Sequence, residues 1–348
     1  MTEPNAPTIE AAPSMCDQPA TVADWLERNG QQVHGPVTIA RVGFGQSNIT
    51  SCVTDQSGRE WILREPPPGK AMSTAHDVHR EARIISSLAA SGIPVPRVVG
   101  TGQSPSGTSF FVMDRVSGRA LETEQDAEEL TLEQRQDVGH QVASILGRLH
   151  TLDTDVLGLP ESRTPYLERQ IRRVTQAWDA NGRESRHDAG WQTLRDNLVR
   201  SAPPQGRSVV MHGDFRLSNT LIDDGTVTAV LDWELTAIGD PLADLAWLLD
   251  DWRAPEDPAI VMPSPTRAGG FPDREEMVRI YSEVSGVPID RIDYYRAFSQ
   301  WRAASLLQGV LIRRRKGMMG DHGAVDLGDL DTSIATLLTS AAAHLRQV

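Results

Sequence analysis

Between Val37 and Arg115 the apolar residues fall into five short runs, each closed by a turn-forming cluster; beyond Gly118 they recur at helical spacing. Residues 37–42, 49–54, 60–64, 97–100 and 109–115 read as strands. Gly43 to Asn48, Gln56-Ser57-Gly58 and Ser104-Pro105-Ser106-Gly107 supply turns. Pro66-Pro67-Pro68-Gly69 stops the third strand, because proline cannot donate to a ladder. A helix over 75–90, with Ile84, Ile85 and Leu88 on one face, ends at Gly92. Strands joined by such short turns pair antiparallel, so this stretch predicts a five-stranded antiparallel sheet packed by one helix.

Val116-Ser117-Gly118 reads as a hinge into a different composition. Thr131 and Gln134 form a capping box for a helix reaching about His150. Helical patterns follow near 165–180 and 188–200. Asp240-Pro241 opens another helix through Trp252, with Asp at the N-cap and Pro at the first position. Asp273 with Glu276 caps the next. Residues 291–316 read as a long helix turning Tyr294, Phe298, Trp301 and Leu306 inward, and 331–346 as the last one. The Pro/Gly-rich stretch 254–272 reads as a loop. The class is α+β in two lobes: an N-lobe over 20–115 and a mostly helical C-lobe over 116–348. Residues 1–19, with four prolines and no apolar block, form a disordered lead-in.

The 348 residues are 39% hydrophobic and 23% charged, the balance of a soluble globular protein, and no apolar run is long enough to span a membrane. The first twenty residues lack Lys and Arg, so no signal peptide is expected. Cys16 and Cys52 make no metal-spaced pair or disulfide framework, and a cytoplasmic location follows as the default. A net charge of −13 argues against a nucleic-acid surface. Asp214 to Asp257 holds eleven acidic residues against two Arg. A solvated acidic face is the first reading of that stretch, and a pocket for a divalent metal or a cationic substrate is the second.

The chemistry concentrates in Val209-Val210-Met211-His212-Gly213-Asp214-Phe215-Arg216-Leu217-Ser218-Asn219, followed by Val230-Leu231-Asp232-Trp233-Glu234. A buried strand delivers Asp214 to a loop, where it can receive the proton of an attacking hydroxyl. Asn219 and Asp232 offer an amide oxygen and a carboxylate, which suit Mg²⁺ held against ATP phosphates. His212 reads as a packing and hydrogen-bonding residue. Glu234 is either solvated or a substrate group. Asp240 reads as an N-cap, and Asp244, a carboxylate in an apolar helix, as support for the loop backbone. In the N-lobe, the turn holding Gly43, Gly45, Ser47 and Asn48 can bring backbone N–H groups to phosphates, although an ordinary hairpin looks the same. Arg64 on a strand and Glu81 on the following helix match the cation–carboxylate pair that holds α/β-phosphates in kinases.

These residues resemble the aminoglycoside phosphotransferase and choline kinase-like superfamily, of protein-kinase fold, over about residues 36–320. The motifs are His212-Gly213-Asp214 with Asn219, Leu231-Asp232-Trp233-Glu234, and Gly239-Asp240-Pro241 with Asp244-Leu245-Ala246. Leu63-Arg64-Glu65-Pro66-Pro67-Pro68-Gly69 and Phe215-Arg216-Leu217-Ser218-Asn219 are similar, more narrowly, to the kinase-like domains associated with acyl-CoA dehydrogenases. The resemblance implies a bilobal fold, with Asp214 as catalytic base, Asn219 and Asp232 as Mg²⁺ ligands, and Glu81 as partner of Arg64. It also implies that Met113, Asp114 and Val116 line the adenine through backbone groups. Arg64 stands where other kinases carry Lys, and Arg216 where antibiotic-modifying members more often carry His.

The leading expectation is an ATP- and Mg²⁺-dependent enzyme that phosphorylates a hydroxyl of a small molecule, with a hydroxyacyl-type metabolite as one candidate. An aminoglycoside phosphotransferase and a nucleotide-binding pseudokinase stay open beside it. A metal-dependent hydrolase could use the same acidic residues, but would leave the N-lobe pattern without a purpose. Arg313-Arg314-Arg315-Lys316 reads as a solvated helix end before it reads as an anion site.

Overall fold

The computed structural model describes residues 14–42, 48–67, 77–318 and 325–348. The chain forms two compact units. The first ends at Val116 and also takes Asp232–Leu235; the second comprises Ser117–Leu231 and Thr236–Val348. No composition shift in the sequence signals that the four-residue segment belongs with the first unit.

In the first unit, β1 (Thr38–Arg41), β2 (Ile49–Thr54), β3 (Glu60–Glu65), β4 (Val98–Gln103) and β5 (Ser109–Asp114) make one sheet in the order β1-β2-β3-β5-β4. All neighbours are antiparallel, as the short turns predict. The two-residue period sorts the side chains. Val53, Trp61, Leu63, Phe110 and Val112 face a core shared with Val22, Trp25 and Leu26 of α1 (Pro19–Arg28). Trp25 meets Phe110 edge-on at 5.2 Å. Arg64 is out of phase with Trp61 and Leu63 and points to the opposite face. There α2 (Val78–Ala90) packs, with Ile84, Ile85 and Leu88 buried.

The lead-in expected to stay disordered through residue 19 is instead ordered from Ser14 onward. Met15–Asp17 form a 3-10 turn, Met15 is buried, and its N–H donates to Glu65 Oε2 at 3.0 Å. Ser14 Oγ bonds the other oxygen of Glu65, and Cys16 Sγ lies 3.0 Å from Ser51 Oγ. Burial is the leading cause that pushes the Cys16 thiol up to about 12. Both cysteines are free thiols. Met1 to Pro13 and the turn residues Gly43, Gly45 and Ser47 lie outside the described residues.

The second unit holds two small hairpin-like sheets among helices. β6 (Val209–Met211) pairs antiparallel with β9 (Ala237–Gly239), and β7 (Thr220–Asp223) with β8 (Thr226–Val230). Sequence reading found β6 and the strand ending at Leu231 but not β7 or β9, whose three or four residues are too short to show a period. The helices are α3 (Glu124–Glu128), α4 (Leu132–Leu149), α5 (Tyr166–Asn181), α6 (Asp188–Arg200), α7 (Pro241–Asp251), α8 (Arg274–Ser285), α9 (Ile292–Arg315) and α10 (Leu327–Leu345). Thr131 caps α4 reciprocally with Gln134, as expected. Gly147 lets α4 approach α8: a Cβ there would stand 2.8 Å from Val284 Cβ. Trp178, Trp191 and Trp301 stack in series at 4.5 and 4.6 Å, tying α5, α6 and α9 together. On α9, Tyr294, Phe298 and Trp301 point inward as read, but Leu306 is 52% exposed; the buried position is Leu307, which lies one residue further round the helix. Among the described residues no helix is long and apolar enough to cross a membrane.

Candidate active site

The first unit assembles a charged cluster around Arg64. The β3 register sets Arg64 opposite Thr50 on one side and Phe111 on the other, facing α2. Asp77 caps α2 by accepting from Arg80 N, and Glu81 sits on the first turn, where the helix dipole favours a carboxylate. Glu81 Oε1 lies 2.7 Å from Arg64 Nη1. Arg64 Nη2 turns the other way, 3.5 Å from Asp232 Oδ1 and 3.9 Å from Glu234 Oε2. One guanidinium fork thus faces three carboxylates, a geometry that a single ammonium could not span. Burial pushes the Glu81 carboxyl up to about 7; Arg64 pulls it down, while Asp232 and Glu234 add to the rise. Asn48 Nδ2 reaches Glu81 Oε2 at 3.5 Å, and Arg80 Nη1 donates to the carbonyl of Glu234. Asn48 Oδ1, Arg64 Nε and Asp232 Oδ1 are buried without a hydrogen-bond partner. Asp232 holds φ 63°, a left-handed conformation uncommon outside glycine.

The three residues expected at the adenine lie at the end of β5 and just beyond it. The N–H of Asp114 donates to Arg97 O, and its carboxylate takes both arms of Arg97 at 2.7 and 2.9 Å. Met113 is buried within β5, and Val116 follows the strand's end.

In the second unit, β6 delivers the loop that carries Asp214. Gly213 turns the chain with φ 89°. The fully buried Asp244 clamps this turn: Oδ2 accepts from His212 N at 2.6 Å and Oδ1 from Gly213 N at 2.9 Å. Its support role is therefore met as read. Burial alone would raise the Asp244 carboxyl, but the hydrogen bond and charge of His150, with His212 and the Gly213 N–H, hold it below the ordinary range. The buried His212 ring bonds Leu231 O at 2.9 Å and packs edge-on against Phe215. Asp240 caps α7 through Leu242 N and accepts from Tyr295 Oη at 2.6 Å.

Asp214 has both carboxylate oxygens engaged. Oδ1 accepts from the indole Nε1 of Trp247 at 2.6 Å, and Oδ2 from Asn219 Nδ2 at 3.1 Å. Asn219 Nδ2 also donates to Asp214 O, so both N–H bonds face Asp214 and the amide oxygen turns away from it. Leu231 N donates to Asn219 O at 2.8 Å, which fixes the strand end that precedes Asp232.

Sequence reading missed Trp247, Asp251 and Arg302. On α7, Asp244, Trp247 and Asp251 stand at i, i+3 and i+7, one helical row. That row meets the loop in order: Asp244 at His212 and Gly213, Trp247 at Asp214, and Asp251 at Arg216, 3.0 Å away. Three hydrogen-bonding groups on one stripe of an apolar helix were the available signal. Arg302 of α9 covers the Trp247 ring at 4.7 Å and reaches Gly213 O at 3.4 Å. The acidic stretch read first as a solvated face is corrected by the same geometry. Asp240, Asp244 and Asp251 are buried, and Asp250, Asp251 and Asp257 pair with Arg296, Arg216 and Arg274. Among the described residues, no group of three or more His, Cys, Asp or Glu could hold a metal ion by itself.

A family model described as the phosphotransferase enzyme family matches residues 38–277. The chain belongs to the phosphotransferase enzyme family. It is accordingly an enzyme of the phosphotransferase class, as the motifs led one to expect. It is similar to acyl-CoA dehydrogenase family member 10 of Mus musculus, 32% identical over 318 residues, covering 88% of this chain but 29% of that protein. Acyl-CoA dehydrogenase family member 11 of Homo sapiens is 30% identical over 308 residues, and the chain spans 38% of its length. An aminoglycoside 3'-phosphotransferase of Streptomyces fradiae is 30% identical over 195 residues, covering 55% of this chain and 70% of that one. Among solved structures, a Ralstonia eutropha protein carrying the aminoglycoside phosphotransferase designation superposes with a TM-score of 0.77 at 25% identity, covering 94% and 97% of the two chains. The phosphotransferase APH(4)-Ia, solved with AMP-PNP and hygromycin B, reaches 0.60 at 18% identity over 93% and 99%, a likeness of fold. The α+β expectation is met.

Proposed function

We propose that this phosphotransferase moves the γ-phosphate of ATP, in the presence of Mg²⁺, to a hydroxyl of a small molecule, with a hydroxyacyl-type metabolite as the acceptor class. The observation that carries the reading is the carboxylate of Asp214, held at both oxygens on a loop whose backbone is clamped by a buried carboxylate. Asp214 receives the acceptor's hydroxyl proton as that oxygen bonds to the γ-phosphorus and the bond to ADP breaks. In such transfers positioning and charge stabilisation do most of the catalysis.

The residues present fit the metal and the nucleotide. Mg²⁺ takes one or two carboxylates plus phosphate oxygens. Asn219 has its amide oxygen turned off Asp214, and Asp232 Oδ1 is buried with no hydrogen bond. When bound, the ion would neutralise charge on the phosphates. Arg64, fixed by Glu81 and facing Asp232 and Glu234, suits bidentate binding of phosphate. Met113, Asp114 and Val116 would line the adenine through backbone groups other than the Asp114 N–H, which donates to Arg97 O. Asn48 is the described end of the turn with Gly43, Gly45 and Ser47 that would lie against the phosphates.

The acceptor class rests on two points. Arg216, Arg274 and Arg296 neutralise three of the carboxylates that a polycationic amino sugar would seek. The names of the mammalian relatives point the same way. A net charge of −13 speaks against nucleic acid as a partner, and the cytoplasm fits an ATP-using enzyme. ADP release across a panel of hydroxyacyl compounds, other hydroxylated metabolites and aminoglycosides tests the reading. Transfer to a hydroxyacyl compound, cut by orders of magnitude but still measurable in Asp214→Asn, is expected. Nucleotide-dependent thermal stabilisation without transfer to any member would favour a pseudokinase instead.

A further inference from the structure

We infer that Trp247 is a positioning residue for phosphoryl transfer, and that Arg302 holds it in place. The inference rests on Asp214 being the base. Apart from Asp244, Asp250 and Asp251 the side chains of α7 are apolar and buried, and a Phe or Leu at 247 would be equally apolar. The indole adds one thing that those residues lack, an N–H, and it is aimed at Asp214 Oδ1 at 2.6 Å. An aspartate side chain has two rotatable bonds. Asn219 alone fixes one oxygen and leaves the carboxylate free to swing about it. The second donor, on the other oxygen, fixes the carboxylate plane and leaves one lone pair on each oxygen for the acceptor's proton.

Arg302 explains why the indole stays put. Its guanidinium lies over the ring at 4.7 Å, within cation–π range, and its Nη2 reaches the carbonyl of Gly213, the residue before Asp214. Helix α9 thereby touches both the holder of the base and the turn that presents it. Neither residue need touch substrate, so both act through Asp214.

The test is a double-mutant cycle on the full chain. Trp247→Phe keeps an aromatic ring but removes the indole N–H and some ring volume; kcat should fall about ten- to hundred-fold, the cost of a misplaced catalytic group. The KM for ATP and for the acceptor should stay within about two-fold, because no ground-state contact is lost. The loss should vanish in the Asp214→Asn background, since a holder has nothing left to hold. Arg302→Lys, which keeps a cation over the indole, should retain most of the activity that Arg302→Met loses. A Trp247→Phe enzyme with unchanged kcat, or a loss that adds in full to that of Asp214→Asn, overturns the inference. If Asp214→Asn itself leaves transfer intact, it is the assignment of the base that fails. One measurement needs no turnover and decides the contact alone: the indole ¹⁵N–¹H resonance of Trp247 should move in Asp214→Asn. An unmoved resonance overturns the hydrogen bond and the inference with it.

Discussion

Asp244 accepts the peptide N–H of His212 through one carboxylate oxygen at 2.6 Å, and uses the other for the next peptide N–H, that of Gly213. A buried carboxylate spent on two consecutive backbone donors fixes a turn that strand pairing cannot reach. Asp244→Asn keeps one acceptor and sets an amide N–H against the second donor. Hydrogen bonds to charged groups contribute about 1.5–3 kcal/mol, so a loss of about 2–4 kcal/mol in urea unfolding is expected. The pH dependence follows from the depressed carboxyl. Its folded-state pKa lies below the ordinary value near 3.9, so its contribution is complete above about pH 4 and is lost as pH falls through the folded value. The gap between wild type and variant should therefore narrow below about pH 4; a gap constant to pH 3 would refute the charge-based account.

The N-terminal segment offers a plainer stability test. Met15 is 1% exposed and packs with Val22, Leu26 and Val53. Met15→Ala should cost about 2–3 kcal/mol in denaturant unfolding, in the range for buried methionine truncations. A segment disordered through residue 19 would give no change.

What could be read in advance follows from the range of the forces involved. The five strands and α2 were legible because turn residues and a two-residue period are local. The loop that carries Asp214 was legible because its polar groups are spaced along one stretch. The order of Ser14–Asp17 was not: it depends on Glu65, fifty residues away, whose carboxylate takes the Ser14 hydroxyl and the Met15 N–H. Leu306 was misplaced because it stands five residues after Trp301, off the i+4 and i+7 row that joins Tyr294, Phe298 and Trp301. The stripe of α7 marked Trp247, but its partner and that of Arg302 could not be read, because they lie 33 and 89 residues away in the chain.

Arg64→Lys tests whether the fork matters. An ammonium can keep the Glu81 contact but not also face Asp232 and Glu234 across 3.5 and 3.9 Å. Calorimetric titration with Mg-ATP should show binding about three- to ten-fold weaker, since Arg binds phosphate bidentately and Lys as a point charge. Equal affinity would mean that a single charge suffices at this position.

Glu81 gives the last prediction, with a sign opposite to that of Asp244. Burial raises its carboxyl to about 7, well above the value near 4.3 expected in the unfolded chain. Between those two values the folded protein holds a proton that the unfolded chain has released, so stability falls as pH rises from about 4.5 to 7 and is level beyond it. Glu81→Gln has no such proton. The stability of wild type relative to this variant should therefore decline by about 3–4 kcal/mol over that window, read from urea midpoints at matched ionic strength. The rise to about 7 already includes the opposing pull of Arg64; a difference that instead grows with pH would show that Arg64, not burial, sets the charge of Glu81.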